Sequence, residues 1–481
     1  MTRRRWVLAL AVVLTLAAGL RLWRLRDLPP GLYADEAMDG NNALEALETG
    51  RFQPFYPEDN GREGLYVNVA ALSIACFGNQ AWALRLPAAL FGVLTVAGVA
   101  LLGAELFGDA VGLLAAFFLA TSFWHVLLSR EAFRAIAAPC FLTWSLYLLV
   151  AARGRPWRMA AAGVVYGLGF YSYIAYRATP LLMALVLRRV GWKRAAIFTG
   201  AACLAAAPLA AYFVPHPGMF GGHAERLSVF AGRSAGQAAA ELLRNAWRTA
   251  RMLFTHGDYN WRHNYPWRAE LYWPVAACML IGLAPLPQGP KGPPGSEKPV
   301  SSRPLLMIGW LIVGALPAVL SGQDVPHALR SILMLPAAML LAALGAHRLY
   351  EFLAQRAPRR IAAACAAVIL ALLAYEPYHT YFDLWARDPQ MPAAFDGPGT
   401  GVARRIRTLP ANEDKFVAYP PGADMVPQPV MFLTASYTVR QQATAHIYYL
   451  PGGCDEAQKA HLSAHIFCLD WTVGATENRS R

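Results

Sequence analysis

Charged residues are scarce in this chain of 481 residues. They make up 15% of it, where a soluble domain usually carries about a quarter. Whole stretches have none: Leu86 to Ala104 is free of charge, and so is Ala110 to Ser129. Runs of about 20 apolar residues match the hydrocarbon thickness of a bilayer, and no soluble core of this size could bury several of them. Other absences narrow the field. There is no glycine-rich phosphate loop to signal a nucleotide site. No nucleic-acid-binding signature accompanies the net charge of +13, whose basic excess lies mostly in short connectors between apolar runs. No second Cys-x-x-Cys or His pair accompanies Cys454 and Cys468, so their spacing does not suggest zinc. Ionisable residues near the bilayer midplane and an internal repeat, both expected of a transporter or flippase, are missing too.

What is present is a series of about eleven apolar runs, near 6–22, 82–103, 110–128, 135–151, 158–174, 176–187, 194–214, 271–286, 304–320, 330–346 and 361–376. The pattern predicts an all-α polytopic membrane protein. The first run follows Arg3, Arg4 and Arg5 and has small residues at Ala17, Ala18 and Gly19, so a cleaved signal peptide is one reading. Continuation through Leu20-Arg21-Leu22-Trp23, an interfacial pattern, favours an uncleaved span. With the N-terminus cytoplasmic, the connectors holding Arg153, Arg155 and Arg158, then Arg188, Arg189, Lys193 and Arg194, fall inside. Lys291, Lys298 and Arg303, then Arg348, Arg356, Arg359 and Arg360, follow them there, a bias of one sign throughout. The run at 176–187 is short and contains Pro180.

That topology places 24–64, 129–134, 215–270, 321–330 and everything after 376 outside. Leu65 to Phe77 reads as an amphipathic piece along the interface. The inside loop Pro287 to Pro304 has a linker composition. The domain plan is thus 1–376 in the membrane and 377–481 as a small α/β appendage. In the appendage Lys415–Tyr419, Val430–Leu433 and His446–Tyr449 read as strands between Pro-Gly and Gly-Gly turns. Five cysteines lie in or beside apolar runs; Cys454 and Cys468 lie in the appendage and pair if it faces an oxidising compartment.

Four polar clusters fall on the outer side. Asp35 and Glu36 follow Leu28-Pro-Pro-Gly-Leu-Tyr-Ala. They are either acids at a helix N-terminus or a carboxylate base for activating a hydroxyl. Arg130 and Glu131 stand in Ser129-Arg-Glu-Ala-Phe-Arg134 at the end of a charge-free span, as snorkelling groups or as members of a site. The third string carries Asp258, Asn260, Arg262, His263 and Asn264, dense enough in polar and aromatic groups for a sugar or head-group loop; its plainer reading is an aromatic belt. His263 with Asp258 lacks a second histidine at ligand spacing, so no metal is assigned. The last cluster holds His327 and Arg330, where a cation at head-group depth can neutralise a phosphate.

Taken in order, Arg21-Leu-Trp through Asp35-Glu36, Phe77-Gly78, Ala83-Leu-Arg85-Leu-Pro87, Leu106-Phe-Gly108, Ser122-Phe-Trp-His125, Ser129-Arg130, Gly169-Phe-Tyr-Ser-Tyr173, Arg177-Ala-Thr-Pro180, the Asp258 string and Pro326-His327 with Arg330 resemble a known family. It is the GT-C glycosyltransferases that use polyprenyl-phosphate sugars. Among these are protein O-mannosyltransferases, lipid A aminoarabinose transferases and galacturonosyltransferase-like relatives. The resemblance covers roughly residues 15–390.

It implies transfer of a hexose or pentose, with inversion, from the carrier to an acceptor hydroxyl on the extracytoplasmic face of an inner or plasma membrane. Asp35 would be the base, with Glu36 and Glu131 as further acids, and Arg330 and Arg62 would contact the carrier phosphate. Arg130, Arg177 and the Asp258–Asn264 and His327 groups would line the site. Arg62-Glu63-Gly64-Leu65 departs from the basic residue with prolines that relatives often show, which argues against a close protein O-mannosyltransferase. No cofactor or divalent metal is implied. The partners are membrane lipid, the lipid-linked sugar and a glycan, glycolipid or protein acceptor, and no nucleic acid. A lipid-linked-saccharide transporter and a non-catalytic cell-envelope assembly protein stand as the alternatives.

Overall fold

The structure, a computed structural model, describes residues 2–58, 60–284, 303–356, 358–460, 465–469 and 476–478. Each of the eleven apolar runs forms helix, because long unbroken apolar sequence in a bilayer must satisfy its backbone internally. In chain order the first helices are α1 (Arg3–Leu22), α2 (Ala34–Thr49), α3 (Leu65–Phe77), α4 (Ala81–Phe107), α5 (Asp109–Ala120), α6 (Phe123–Leu128), α7 (Ala137–Val150) and α8 (Pro156–Gly169). They are followed by α9 (Pro180–Leu187), α10 (Trp192–Phe213), α11 (Pro217–Arg226), α12 (Ala235–Met252), α13 (Trp273–Leu283), α14 (Arg303–Val319), α15 (Leu335–Ala354) and α16 (Arg359–Tyr378). Five helical stretches among the described residues are long and apolar enough to cross a membrane; α3, α5, α13 and the segments around α7, α9 and α14 are shorter apolar helices. The linker expected from Pro287 lies almost wholly outside the described residues.

Helices pair as α4 with α5 and α7, α7 with α8, α8 with α10, and α15 with α5 and α13. Small residues set the close approaches. A Cβ on Gly163 would lie 2.2 Å from the Phe198 carbonyl oxygen, and one on Gly167 2.4 Å from that of Ala202, so this small-xxx-small pair brings α8 onto α10.

Two expectations need correction. The run 110–128 is not one helix. It breaks at Thr121–Ser122, where the Ser122 hydroxyl accepts from the His125 N–H and starts α6 afresh. Val430–Leu433 is not a strand but lies within a helix. A four-residue apolar run has no period of its own, and Pro429 at its start is preorganised for the first helical turn.

Beyond α16 the chain forms α17 (Met391–Ala394), α18 (Gly397–Ile406) and α19 (Gln428–Thr434). The strand pair β1 (Phe55–Tyr56) and β2 (Arg62–Glu63) lies earlier, in the first long loop; β3 (Lys415–Tyr419), β4 (Ile447–Pro451), β5 (His465–Cys468) and β6 (Thr476–Asn478) build the C-terminal sheet. Its order is β4-β3-β5-β6, with β3 parallel to both neighbours and β6 antiparallel. Cys454 and Cys468 form a disulfide.

This C-terminal part does not stand apart from the bundle. The Asn41 amide on α2 donates to Gln428 Oε1 (2.7 Å), Asn79 donates to the Phe432 and Leu433 carbonyls, and Leu32 N–H donates to Thr400 Oγ1. Gly40 lets α2 meet the Phe432 ring, 2.5 Å from where a Cβ would sit. The helix α2 that carries Asp35 is therefore clamped between the bundle and the C-terminal part of the chain.

Candidate active site

At one end of the bundle a cavity of about 840 Å³ opens between the first long loop, the segment before α9, α14 and the loops that precede α13 and α15. It lies within the size range of small-molecule sites. Its polar wall includes Asp35, Asp39, Arg62, Arg134, Arg177, Asn260, Arg262, His263, His327 and Arg330. Its apolar lining comes from Ala178 and Leu181 of the α9 region, Leu316 and Pro317 of α14 and Leu320 just after it. Leu181 in this lining is 62% exposed.

Asp35 and Glu36 are neighbours with opposite fates, because adjacent residues on a helix point about 100° apart. Asp35, in the first turn of α2, lines the cavity. Glu36 points into the protein. It receives Arg85 Nε at 2.8 Å and Nη2 at 2.9 Å, the Ala132 N–H at 2.7 Å and the Tyr33 N–H at 3.3 Å. With every lone pair engaged and no exposure, Glu36 cannot accept a substrate proton, and its place among the catalytic acids is corrected to a structural one. One turn on, Asp39 shares the Asp35 face and pairs with Arg62 at 3.1 Å.

Glu131 and Arg130 also fall outside the cavity lining. Arg130 is buried and donates to the carbonyls of Leu20, Trp23 and Leu28, tying α1 to the α6 corner. Glu131 is fully buried with both carboxyl oxygens unpartnered, and burial followed by the Glu36 charge pushes its pKa well up. A group sealed from solvent in this way does not meet an acceptor hydroxyl. The real counterpart of that cluster is Arg134, four residues after Arg130 in the same short string, which does reach the cavity and holds Glu63 at 3.2 Å. Arg177 binds the other oxygen of Glu63 at 3.0 Å, so β2 presents Arg62 as the partner of Asp39 and Glu63 as the partner of Arg134 and Arg177 around the rim.

The Asp258 string is mostly a device for holding itself. Asp258 Oδ1 accepts from the Asn260 N–H at 2.9 Å, and Asn260 Oδ1 from the Arg262 N–H at 3.0 Å, successive Asx turns. Asn264 is buried and its amide spans the Asp258 and Arg268 carbonyls, which explains its polarity without a substrate. A Cβ on Gly257 would sit 1.9 Å from the Arg268 oxygen, so only glycine closes the loop there.

Asp258 Oδ2, itself buried, accepts from His263 Nδ1 at 3.1 Å and from the Ala328 N–H at 2.8 Å. The carboxylate thus joins the third and fourth clusters. Tyr259 reinforces the junction by donating to Asp324 at 2.6 Å. Behind it, burial and the Asp258 charge hold the Glu270 carboxyl well above the usual range.

The second histidine that sequence spacing did not provide comes from the neighbouring loop. His327 Nδ1 lies 3.8 Å from Asp258 Oδ2, and ligand atoms of Asp258, His263 and His327 all lie within 4.8 Å of one another. These three residues are the group among the described residues that could hold a metal ion. In the structure the same atoms are engaged otherwise: His327 Nδ1 accepts from the Arg330 N–H at 3.4 Å and Asp258 is bonded as above. Burial, His263, Arg330 and Arg262 together push the His327 pKa well down, so it is a neutral imidazole at neutral pH.

Two cavity arginines make no ion pair with a carboxylate among the described residues. Arg262 stacks 3.8 Å over the Tyr33 ring, donates weakly to the Ala394 carbonyl, and has Nε buried without a partner. Arg330 donates to Ser321 Oγ at 2.6 Å and the Gln323 carbonyl at 2.8 Å. Both keep further N–H groups and a full positive charge beside Asp35's wall of the cavity, which is the arrangement that a bound phosphate needs. Tyr33, Asp39, Arg134 and Asp324 are among the lining residues that sequence reasoning left out of the site; the i, i+4 spacing of Asp35 and Asp39 was the one available signal.

The model of the dolichyl-phosphate-mannose-protein mannosyltransferase family matches residues 65–215. None of the curated protein sequences matches the chain significantly. Among solved structures, ArnT from Cupriavidus metallidurans bound to undecaprenyl phosphate is similar over 97% of this chain and 93% of its own, with a TM-score of 0.59 at 13% identity. The apo form of the same protein gives 0.57. The Archaeoglobus fulgidus oligosaccharyltransferase, tethered to an acceptor peptide, aligns over 94% of this chain and 64% of its own, with a TM-score of 0.51 at 13% identity. The chain thus has the fold of ArnT and of this oligosaccharyltransferase, mostly helical with a small C-terminal sheet region.

Proposed function

We propose that this chain is a membrane glycosyltransferase that moves a sugar from a polyprenyl-phosphate carrier to an acceptor hydroxyl, with Asp35 as base. The observation that carries it is the cavity's two kinds of lining: Asp35, Arg262 and Arg330 among its polar groups, and Ala178, Leu181, Leu316, Pro317 and Leu320 among its apolar ones. An amphipathic donor fits such a site, with its isoprenoid along the apolar lining and its phosphate and sugar among the arginines. ArnT of this fold holds undecaprenyl phosphate, and the oligosaccharyltransferase an acceptor peptide, which supports a lipid-linked donor and a separate acceptor.

In the reaction the acceptor oxygen attacks the anomeric carbon opposite the phosphate and inverts it. The new C–O bond forms as the carbon–phosphate-oxygen bond breaks, Asp35 takes the hydroxyl proton, and the polyprenyl phosphate leaves as an anion. Arg262 and Arg330 stabilise that anion, so no strong general acid is required. Arg62, Arg134 and Arg177 already carry carboxylate partners and serve to hold the rim. The proposed step assigns no role to a metal, because Arg262 and Arg330 bring positive charge to the phosphate. The cavity end faces away from the cytoplasm, in keeping with the basic connectors at the other end.

The test is consumption of lipid-linked sugar by purified Asp35→Asn protein. Loss of a general base predicts a rate lower by about 10²–10⁴. An undiminished rate overturns the base assignment, and a rate sensitive to EDTA overturns the metal-free chemistry.

A further inference from the structure

We propose that α12 is a membrane-surface helix, with its Leu243–Trp247 face among the acyl chains of the leaflet on the cavity side and anionic headgroups held by Arg244, Arg248 and Arg251. The proposal does not depend on the chemistry of the cavity.

α12 begins cleanly, with a capping box between Ser234 and Gln237, and it is amphipathic in an unusual sense. Its protein-facing side carries polar groups among apolar ones: Ala238, Asn245, Thr249 and Met252 are buried, and the Asn245 amide donates to the carbonyls of Val319 (3.2 Å) and Ser321 (2.8 Å). Those carbonyls lie at the C-terminal end of the apolar helix α14, so α12 crosses the end of a membrane helix at head-group depth.

The opposite side is apolar and uncovered. Leu243 and Trp247, four residues apart and so stacked on one face, are 75% and 66% exposed, flanked by exposed Ala239, Ala240, Ala246 and Ala250. Phe230, just before the helix, is 56% exposed as well. A soluble surface rarely carries such a strip, whereas a large-moment helix with Trp and Leu on one face is the form of an interfacial helix.

Charge identifies the occupant. Arg244, Arg248 and Arg251 run along one edge of the strip. Glu241, the acid in this helix, reaches Arg244 at 3.1 Å and Arg248 at 3.8 Å. One carboxylate against three guanidinium groups leaves a positive edge, which suits lipid phosphates next to an anionic leaflet. The arginine stems also cover the apolar strip while their heads reach outward. α12 leads through Leu253 and Phe254 into the Asp258 loop, and the backbones of Met252 and Leu253 accept from Glu270 and Leu271, so this lipid-seated helix also anchors the stem of that loop.

The experiment uses the full chain in nanodiscs made with phosphatidylcholine or phosphatidylglycerol carrying brominated acyl chains. Because the chain has 14 tryptophans, the Trp247 signal is the difference between wild type and Trp247→Phe. We expect that signal to be quenched by the brominated lipids and little affected by aqueous iodide. Replacing Arg244, Arg248 and Arg251 together by Gln should lower the preference for phosphatidylglycerol around the protein, by up to about fivefold per arginine. Quenching by iodide instead, or by neither agent, overturns the proposal: the face then lies in water, or is covered by protein such as a second copy of the chain. An unchanged lipid preference in the triple variant overturns the headgroup contact.

Discussion

Glu36→Gln separates structure from catalysis at the two adjacent acids of α2. The native carboxylate accepts two hydrogen bonds from Arg85, at 2.8 and 2.9 Å, and two from backbone N–H groups of Ala132 and Tyr33, in a place with no solvent exposure. Glutamine has one acceptor oxygen, and its NH₂ group would face either a guanidinium or a backbone N–H. Arg85, 1% exposed, would keep its charge with no counterion. Breaking one side of a buried pair costs about 3–5 kcal/mol. Arg85 retains the carbonyls of Pro29 (2.9 Å) and Gly31 (2.7 Å), so the lower end, about 3 kcal/mol, is expected. That is a large share of a total stability of roughly 5–15 kcal/mol. Thermal unfolding of purified protein in detergent should show Glu36→Gln melting several degrees below wild type. The double variant Glu36→Gln/Arg85→Met should recover part of the loss, because the orphan charge is gone. Asp35→Asn should melt like wild type and yet fail to transfer sugar. If Glu36→Gln melts normally and loses its rate as Asp35→Asn does, the roles assigned to the two carboxylates are reversed.

Glu131→Gln should keep activity and flatten the pH dependence of stability. The folded pKa lies well above the ordinary 4.5, so the native acid contributes stability that is present below about pH 4.5 and lost as pH rises through the folded value; glutamine removes that loss, which unfolding at several pH values will show. His327 has the opposite sign. Its folded pKa is depressed below 6.5, so stability falls as pH drops below that value, by at most about 1.4 kcal/mol per pH unit, and His327→Asn should lessen the slope. Gly257→Ala places a methyl 1.9 Å from the Arg268 oxygen and should disorder the loop that carries Arg262, lowering transfer by tenfold or more with the bundle intact by circular dichroism.

The apolar runs were legible because span length and helix period are local properties. α3 appears at the predicted bounds, and the eleven runs all contain helix. Much of the site was legible in type but not in role. Glu36, Arg130 and Asn264 carry the right chemistry in the right strings, yet each spends its polar atoms on the protein itself, and Glu131 is buried away from the cavity with its carboxyl oxygens unpartnered. Nothing in a linear string tells a carboxylate that faces substrate from one that faces a buried arginine 49 positions away. The same limit hid His327 as a neighbour of Asp258 and Arg134 as a cavity residue.

By itself, then, the sequence determined that the chain lives in a membrane, that it is helical, and which four stretches hold its polar groups. All of these follow from hydrophobic run length and from the cost of burying charge. Only the tertiary structure decided which members of those stretches share one cavity. That choice rests on the 100° step between neighbouring residues of α2, on the Asp258 junction between two loops, and on the clamp of the C-terminal part of the chain against α2. Such contacts span tens to hundreds of residues and leave no mark on local composition.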